Sequence, residues 1–109
     1  MLAKSVRLNL KKEFARVKKN SVSFSGLYFT LLVARGEGES MFGFVVSSKV
    51  GSIVRRNRIR RLLTEAVRGN LEKFPKGRKY IFIGKKEALD TSHEKISLEF
   101  DKILPRIFR

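Results

Sequence analysis

The chain has no cysteine, a single histidine and only two prolines among its 109 residues. Without cysteine it forms no disulfide, no thiolate nucleophile and no cysteine-based zinc site, which agrees with a reducing compartment. No apolar run approaches the ~18 residues of a membrane span, and the N-terminus lacks the apolar core of a signal peptide. We therefore expect a cytoplasmic protein with no membrane partner.

Acidic residues are also scarce, since 10 Asp and Glu stand against 25 Lys and Arg and give a formal net charge of +15. Such a chain repels itself unless a polyanion is near, and nucleic acid is the commonest partner for this balance. An anionic membrane surface is the second candidate. The length and the 42% hydrophobic content suit one core. Residues 1–109 are predicted to form a single domain that binds nucleic acid.

A catalytic site built from protein side chains has little support in the sequence. His93 is the only histidine, and at a predicted helix start an exposed capping position is a better interpretation than a general base. The acids are scattered, and neither a GxxxxGK[ST] nor a GxGxxG phosphate loop occurs. We predict no catalytic residue, no metal ligand and no cofactor bound by the protein.

The most informative segment is residues 49–68, KVGSIVRRNRIRRLLTEAVR, with seven Lys or Arg against the single acid Glu65. Its apolar residues recur with helical spacing and form a stripe that a core can cover: Ile59, Leu62, Leu63, Ala66 and Val67. Cations also occupy the helix N-terminus, where the helix dipole disfavours them. Solvated helix faces usually mix signs, so this segment favours a nucleic-acid contact. The predicted RNA-binding residues are Lys49, Arg55, Arg56, Asn57, Arg58, Arg60, Arg61 and Arg68.

The rest of the pattern predicts an α+β fold, a two-layer α/β sandwich with the order αββαβα. A first helix over residues 9–18 has Asn9 as its N-cap and an inward face of Leu10, Phe14 and Val17. Residues 20–26 are interpreted as a polar connector. The strands over residues 27–34 and 41–47 are predicted to pair as an antiparallel hairpin because the link between them is short.

The second half of the chain continues this alternation. The basic helix is predicted to end near Gly69 or Asn70, and residues 79–84 read as a strongly apolar strand. Thr91 with Glu94 resembles a capping box that opens the last helix. Pro105 is expected to kink or end that helix.

At this point the residues resemble a known family. The run GFVVSSKVGSIVRRNRIRRLLTEAVR is similar to the signature of the protein subunit of bacterial ribonuclease P, in which a strand and a basic loop precede an Arg-Asn-Arg motif and two more cations. The matching positions are Gly43, Ser47, Lys49, Gly51, Arg56, Asn57, Arg58, Arg60 and Arg61. The resemblance covers nearly the whole chain and includes EF-x-x-V in the first helix, at Glu13, Phe14 and Val17.

The resemblance implies a fold similar to a domain of a small-subunit ribosomal protein, with a left-handed βαβ crossover against the usual right-handed preference. It implies an accessory subunit of a tRNA 5′-processing endoribonuclease, in which the RNA subunit catalyses the reaction with Mg²⁺. The implied partners are the catalytic RNA and the 5′ leader of precursor tRNA, with no protein partner required.

The resemblance also implies where the leader binds, in a cleft between the first helix and the sheet. The implied cleft residues are Phe14, Val17, Lys18, Phe29, Arg56 and Asn57. Lys18 stands where the family often has a second aromatic residue, so a phosphate contact is expected to replace a stacked base there.

Other interpretations remain open at the level of sequence. A ribosomal or other structural-RNA-binding protein would share this charge and fold. A double-stranded DNA binder is a third interpretation, because an arginine-rich helix can enter a major groove, although the basic helix follows a strand and loop rather than a helix and a tight turn. An independent protein nuclease comes last, since clusters of acids, bases and metal ligands are missing.

Overall fold

The computed structural model describes residues 6–36 and 38–107. Within these ranges three α-helices and four strands alternate with short 3-10 turns. In chain order they are α1 (Leu10–Lys19), β1 (Val22–Ser25), β2 (Phe29–Arg35), β3 (Met41–Val46), α2 (Ile53–Arg68), β4 (Arg78–Gly84) and α3 (His93–Ile107). The α+β class and the predicted alternation of helices and strands are confirmed, and β1 is an additional strand.

The strands form one mixed sheet in the order β1-β2-β4-β3. β4 pairs antiparallel with β2 and parallel with β3, so β3, α2 and β4 form a βαβ unit. Tyr80, Ile81 and Phe82 of β4 are fully buried, which suits a central strand with both faces covered. The left hand of the βαβ crossover stays a prediction.

Two predictions about the strands are wrong. Residues 27–34 and 41–47 do not form a hairpin, because β4 lies between β2 and β3 in the sheet. Residues 20–26 are more than a connector, because β1 pairs antiparallel with β2 and places Phe24 opposite Leu31. β1 is an edge strand whose residues other than Phe24 are exposed, so its sequence lacks the apolar alternation that marks a half-buried strand.

The two faces of the sheet are covered by different helices. Successive side chains of a strand point to opposite faces. Leu31 and Val33 of β2 belong to the larger core, which also contains the buried residues of α2 and α3. Leu32 and Ala34 belong to a second cluster with Val17 of α1. Thus α2 and α3 pack on one face of the sheet, and α1 crosses the other.

Two glycines allow this close approach from both sides. A Cβ on Gly84 of β4 would lie 2.5 Å from Cγ2 of Ile59 in α2, and a Cβ on Gly43 of β3 would lie 2.6 Å from Cδ2 of Leu10 in α1. Side-chain carbons do not approach this closely without displacement, so each glycine sets the distance between a helix and the sheet.

The helix ends agree with the sequence at α1 and α2. Asn9 caps α1, and its side-chain oxygen accepts a hydrogen bond from the N–H of Lys12 at 3.4 Å. α2 ends at Arg68 with Gly69 as its C-cap. These signals are local, which explains why the sequence predicts them.

The start of α3 differs from the prediction, and its end does so in part. The hydroxyl of Ser92, not that of Thr91, accepts a hydrogen bond from the N–H of Lys95, at 3.4 Å. The Thr91 hydroxyl is buried and has no hydrogen-bond partner within residues 6–36 and 38–107. Pro105 does not end α3, which continues to Ile107, and a kink at this proline stays a prediction. Because proline has no backbone N–H, Pro105 removes one backbone hydrogen bond from the last turn of α3.

Candidate RNA interface

The first turn of α2 gathers positive charge. Ser52 caps the helix, its hydroxyl accepting a hydrogen bond from the N–H of Arg55 at 3.3 Å. Gly51 has a φ of 147°, and a Cβ there would lie 2.9 Å from Cδ of Arg55. The first turn contains no acidic residue, so the positive end of the helix dipole adds to the charges of Arg55 and Arg56. Exposed N–H groups and cations at one helix N-terminus attract anions.

The apolar stripe of α2 faces the core, and the cations lie beside it or opposite it. Ile59, Leu63, Ala66 and Val67 are buried, as predicted, and Leu62 is half-buried. Two of the predicted RNA-binding residues, Arg56 and Arg60, are half-buried. The others are exposed: Lys49, Arg55, Asn57, Arg58, Arg61 and Arg68. Seven of the eight predicted residues therefore lie on α2, and Lys49 lies in the 3-10 turn Ser48–Val50 that precedes it.

Several of these cations also have protein partners. Arg60 donates a hydrogen bond to the Asn57 side chain at 2.6 Å, and Arg68 pairs with Glu65 at 2.7 Å.

Arg58 Nε donates to the carbonyl of Leu89 at 3.2 Å, which links α2 to the 3-10 turn Lys86–Asp90. The sequence did not reveal this link, because the two residues are 31 positions apart. An arginine has five N–H donors, so Arg58, Arg60 and Arg68 all keep donors for a further acceptor.

Other cations of this surface are unpaired. Lys49, Arg55 and Arg61 form no side-chain hydrogen bond or ion pair within the described part of the chain. The Nε of Arg56 is buried and also lacks a hydrogen-bond partner among the described residues. A buried donor of a charged group is costly when it is unsatisfied. The exposed and unpaired side chains of Lys49, Arg55 and Arg61 are the ones free to bind an external oxygen acceptor such as a phosphate.

On the other face of the sheet, α1 leaves part of the surface uncovered. Phe14 of α1 is half-buried, and so are three sheet residues on the same face: Thr30, Val45 and Ile83. Thr30 lies opposite Ile83, which in turn lies opposite Val45, so the three form a row across β2, β4 and β3. We call the surface formed by this row with Phe14 and Lys18 the α1 cleft. The sequence missed Thr30, Val45 and Ile83, although their alternation with core residues marks them as facing α1.

Phe14 and Lys18 form one edge of the α1 cleft. The Lys18 Nζ lies 5.9 Å from the centroid of the Phe14 ring. This places a positive charge beside an accessible aromatic surface, a combination that suits a stacked base and its phosphate. Val17 is only 1% exposed, so it supports the cleft from below and offers no surface to a ligand.

The prediction that Phe29 lines the cleft is wrong. Phe29 is fully buried on the opposite face of the sheet, where its ring packs 5.2 Å from that of Phe82 and 5.5 Å from that of Phe100. Its neighbour Thr30 points to the α1 side instead, because side chains alternate along a strand. A one-residue difference in register therefore decides between core and cleft.

The position of the α2 N-terminus relative to the α1 cleft follows from the chain path. β3 ends at Val46, beside Val45, and only residues 47–52, which include the 3-10 turn Ser48–Val50, separate it from α2. The first turn of α2 thus begins at the same end of the sheet as the cleft. That Arg56 and Asn57 reach a ligand in the cleft stays a prediction.

The described residues offer little for metal binding or acid–base chemistry. Residues 6–36 and 38–107 contain no group of three or more His, Cys, Asp or Glu side chains that could hold a metal ion. His93 Nε2 lies 3.3 Å from the Glu94 carboxylate at the exposed start of α3. A backbone hydrogen bond and one from Ser92 lower the pKa of Glu94, as expected at a helix N-terminus. No helix within the described ranges is both long enough and apolar enough to cross a membrane.

Comparison with known proteins gives one consistent result. The Ribonuclease P family profile matches residues 2–107. The chain is 35% identical over 100 residues to the Ribonuclease P protein component of Pelotomaculum thermopropionicum, and the match covers 91% of this chain and 89% of the relative. It is 37% identical over 102 residues to that of a Nitratiruptor species, with 94% and 92% covered. The fold is similar to that of the RNase P protein from Thermotoga maritima, with a TM-score of 0.81 and 28% identity over 92% of this chain and 96% of that one.

Proposed function

Because the chain belongs to the ribonuclease P protein family, we propose that α2 binds the RNA subunit of this tRNA-processing ribonucleoprotein and that the α1 cleft binds the 5′ leader of precursor tRNA. The chain is the protein component of a ribonuclease P, and the comparisons support this reading over a ribosomal or other structural-RNA-binding role. The proposal places this protein in the cytoplasm.

The charge and exposure of α2 support its role toward the RNA subunit. Arg55 and Arg61 are exposed and unpaired among the described residues, and Arg60 is held by Asn57. Arginine forms bidentate contacts with phosphate and stacks on bases. A helix that presents such side chains on a surface without neighbouring acids in its first turn matches the backbone of a folded RNA.

The single observation that carries the leader assignment is the α1 cleft. It combines an accessible aromatic ring, a cation 5.9 Å from that ring and an uncovered strip of sheet. Single-stranded nucleic acids bind such surfaces by stacking bases on aromatic side chains while cations contact the phosphates. The leader is the part that distinguishes precursor from mature tRNA, so a cleft that grips it raises affinity for the substrate and not for the product.

Catalysis is assigned to the RNA subunit, together with Mg²⁺. The described residues form no group of three or more His, Cys, Asp or Glu side chains that could hold a metal ion, and His93 pairs with Glu94 at the exposed start of α3. The residues of the protein act by binding and orienting the two RNAs. When the metal is bound to RNA, it supplies the activation of water and the charge stabilisation that hydrolysis requires.

The proposal is tested by comparing precursor and mature tRNA. Holoenzyme is assembled from the RNA subunit and either normal protein or the Phe14→Ala variant, and both tRNAs are titrated into it. We expect precursor binding to weaken by ~1 to 3 kcal/mol, the value of one stacked base, with little change for mature tRNA.

Phe24→Ala is the matched control for this experiment. Phe24 is also a half-buried aromatic residue with a cation 5.9 Å from its ring centroid, but it lies in β1 on the other side of the sheet. We expect this variant to keep the preference for precursor tRNA. Equal losses of affinity for both tRNAs in the Phe14→Ala holoenzyme would contradict the assignment of the leader to the α1 cleft. The same selective loss with Phe24→Ala would contradict it as well.

A further inference from the structure

The flank of α1 that faces away from the α1 cleft carries a second set of charges. At about 100° per residue, Glu13, Arg16 and Asn20 lie on the helix side opposite Lys18. This side faces the end of the sheet where β2 stops and β4 starts. Arg16, Arg35 and Lys79 line two adjoining cavities there, of ≈ 330 and ≈ 620 Å³. We call this surface the Arg16 groove.

The charges in the Arg16 groove are only partly balanced. Lys79 pairs with Glu13 at 3.0 Å, and this hydrogen bond, helped by the charge of Arg16, lowers the pKa of Glu13 below its ordinary range. Arg16 and Arg35 are exposed and form no ion pair or side-chain hydrogen bond within the described part of the chain. Among the described residues the local charge therefore remains positive at neutral pH, because Glu13, the acid they contribute to this flank, is already paired with Lys79.

The floor of the groove strengthens the field of these cations. Val17 and Ala34 are buried beneath it, and Met41 closes it beside Gly36. Apolar groups next to a charge lower the local dielectric and exclude part of the screening water. Two guanidinium groups over such a floor match an anion that carries several oxygen acceptors, which is the chemistry of a phosphodiester.

We propose that the Arg16 groove binds the phosphodiester backbone of the RNA subunit, at a place separate from the exposed cations of α2 and from the α1 cleft. The assignment rests on the proposed function in taking the partner to be this ribonucleoprotein RNA. The RNA subunit is the favoured occupant over the leader, because α1 separates the groove from the α1 cleft. Contacts with the RNA subunit from α2 on one face of the sheet and from α1 on the other fix the orientation of the protein on the RNA.

The test uses the double variant Arg16→Gln with Arg35→Gln, which removes two exposed charges and leaves the Lys79–Glu13 pair intact. Its matched control is Lys73→Gln with Lys102→Gln, which removes two exposed charges from the α3 side of the molecule. Thermal unfolding checks that both variants are folded. Binding to the RNA subunit alone is then measured across a range of salt concentrations.

We expect the groove variant to bind the RNA subunit at least about tenfold more weakly, since two charge-assisted contacts are lost. The slope of log K against log salt should flatten by roughly one to two units, and the control should lose much less of both. Equal losses in the two variants would show a general charge effect and overturn the proposal, and so would unchanged binding.

A second arm separates this inference from the leader assignment. The variant is assembled with excess RNA subunit, and precursor and mature tRNA are titrated into the complex. We expect the ratio of the two affinities to stay the same. A loss confined to precursor tRNA would place the leader in the groove and overturn the proposal. If the groove variant binds the RNA subunit normally while Phe14→Ala still loses precursor selectively, only the groove assignment fails.

Discussion

Gly84 illustrates how one position controls the placement of α2 on the sheet. The nearest atom to a Cβ at Gly84 is Cγ2 of Ile59, a β-branched side chain that has little freedom to move within a helix. We expect Gly84→Ala to lower the free energy of unfolding by about 1 to 3 kcal/mol, the usual range for overpacking a core. Chemical denaturation measures the change.

Gly69→Ala provides the control for this substitution. Gly69 has a φ of −75°, and a Cβ there would approach no atom closer than 3.6 Å. We expect this variant to be as stable as the normal protein or slightly more so, because alanine reduces the freedom of the unfolded chain. A Gly84→Ala protein of unchanged stability would contradict the close packing of α2.

The titration of Tyr80 is expected to make the free energy of unfolding depend on pH in the alkaline range. Burial raises the pKa of Tyr80 from 10.0 to about 12, and its hydroxyl donates a hydrogen bond to the Pro75 carbonyl at 2.6 Å. Because the unfolded chain releases this proton at a lower pH than the folded chain, the contribution of the protonated phenol is complete below about pH 10 and is lost as pH rises toward about 12.

The comparison of normal protein with Tyr80→Phe isolates this effect from the titration of lysines. We expect the stability advantage of the normal protein, about 1 kcal/mol at neutral pH from one hydrogen bond, to shrink as pH rises above about 10. Urea unfolding at several pH values measures the difference. An advantage that stays constant up to about pH 11.5 would contradict a buried phenol.

At the scale of elements, the cations of α2 look alike in the sequence but differ in their contacts within the protein. Arg61 and Arg55 are exposed and unpaired among the described residues, whereas Arg58 links α2 to the turn before α3. We expect Arg55→Gln with Arg61→Gln to weaken binding of the RNA subunit while changing stability by no more than about 0.5 kcal/mol. Arg58→Ala should reduce both, because it also removes a tertiary hydrogen bond.

Salt-dependent binding and thermal unfolding of these variants are measured together. Each phosphate contact that is lost should flatten the salt slope by something under about one unit. If the protein with both Arg55→Gln and Arg61→Gln keeps its affinity and its salt slope, the assignment of the RNA subunit to this face of α2 is wrong.

The helices of this fold could be predicted from sequence because their signals are local. Asn9 marks the start of α1, Gly69 marks the end of α2, and the stripe from Ile59 to Val67 gives the buried face. The strand order could not be predicted in the same way. The insertion of β4 between β2 and β3 depends on contacts between residues far apart in the chain, and the short link favoured a hairpin.

The same distinction explains the outcome for the candidate site. The cations of α2 are recognisable because they are adjacent in sequence, whereas the α1 cleft and the Arg16 groove combine residues from α1, β2, β3 and β4. The prediction for Phe29 fails because an aromatic residue in a strand does not reveal which face it occupies until the register is known. Thr30 occupies the cleft-facing position instead.

At the scale of the whole molecule, the surfaces that we propose to bind RNA surround a core whose described residues are almost entirely apolar. We expect purified protein free of RNA to leave precursor tRNA intact, and we expect cleavage on addition of the RNA subunit and a divalent cation. Analysis of the cleavage products by gel electrophoresis tests this. Cleavage by the protein alone that disappears with a point substitution in this chain would contradict the assignment of catalysis to the RNA.

The central claim is that the α1 cleft holds the leader while α2 holds the RNA subunit. Because the chain has no cysteine, one introduced thiol carries a photo-crosslinker to a single known place. The variants are Lys18→Cys in the cleft and Arg61→Cys on α2, with Lys102→Cys on exposed α3 as the control.

Crosslinking in holoenzyme bound to precursor tRNA, followed by mapping of the joined nucleotides, is the most direct measurement. We expect position 18 to join to leader nucleotides, position 61 to join to the RNA subunit, and position 102 to join weakly to either. Crosslinks from position 18 to the RNA subunit or to the mature tRNA body, with none to the leader, would contradict the account.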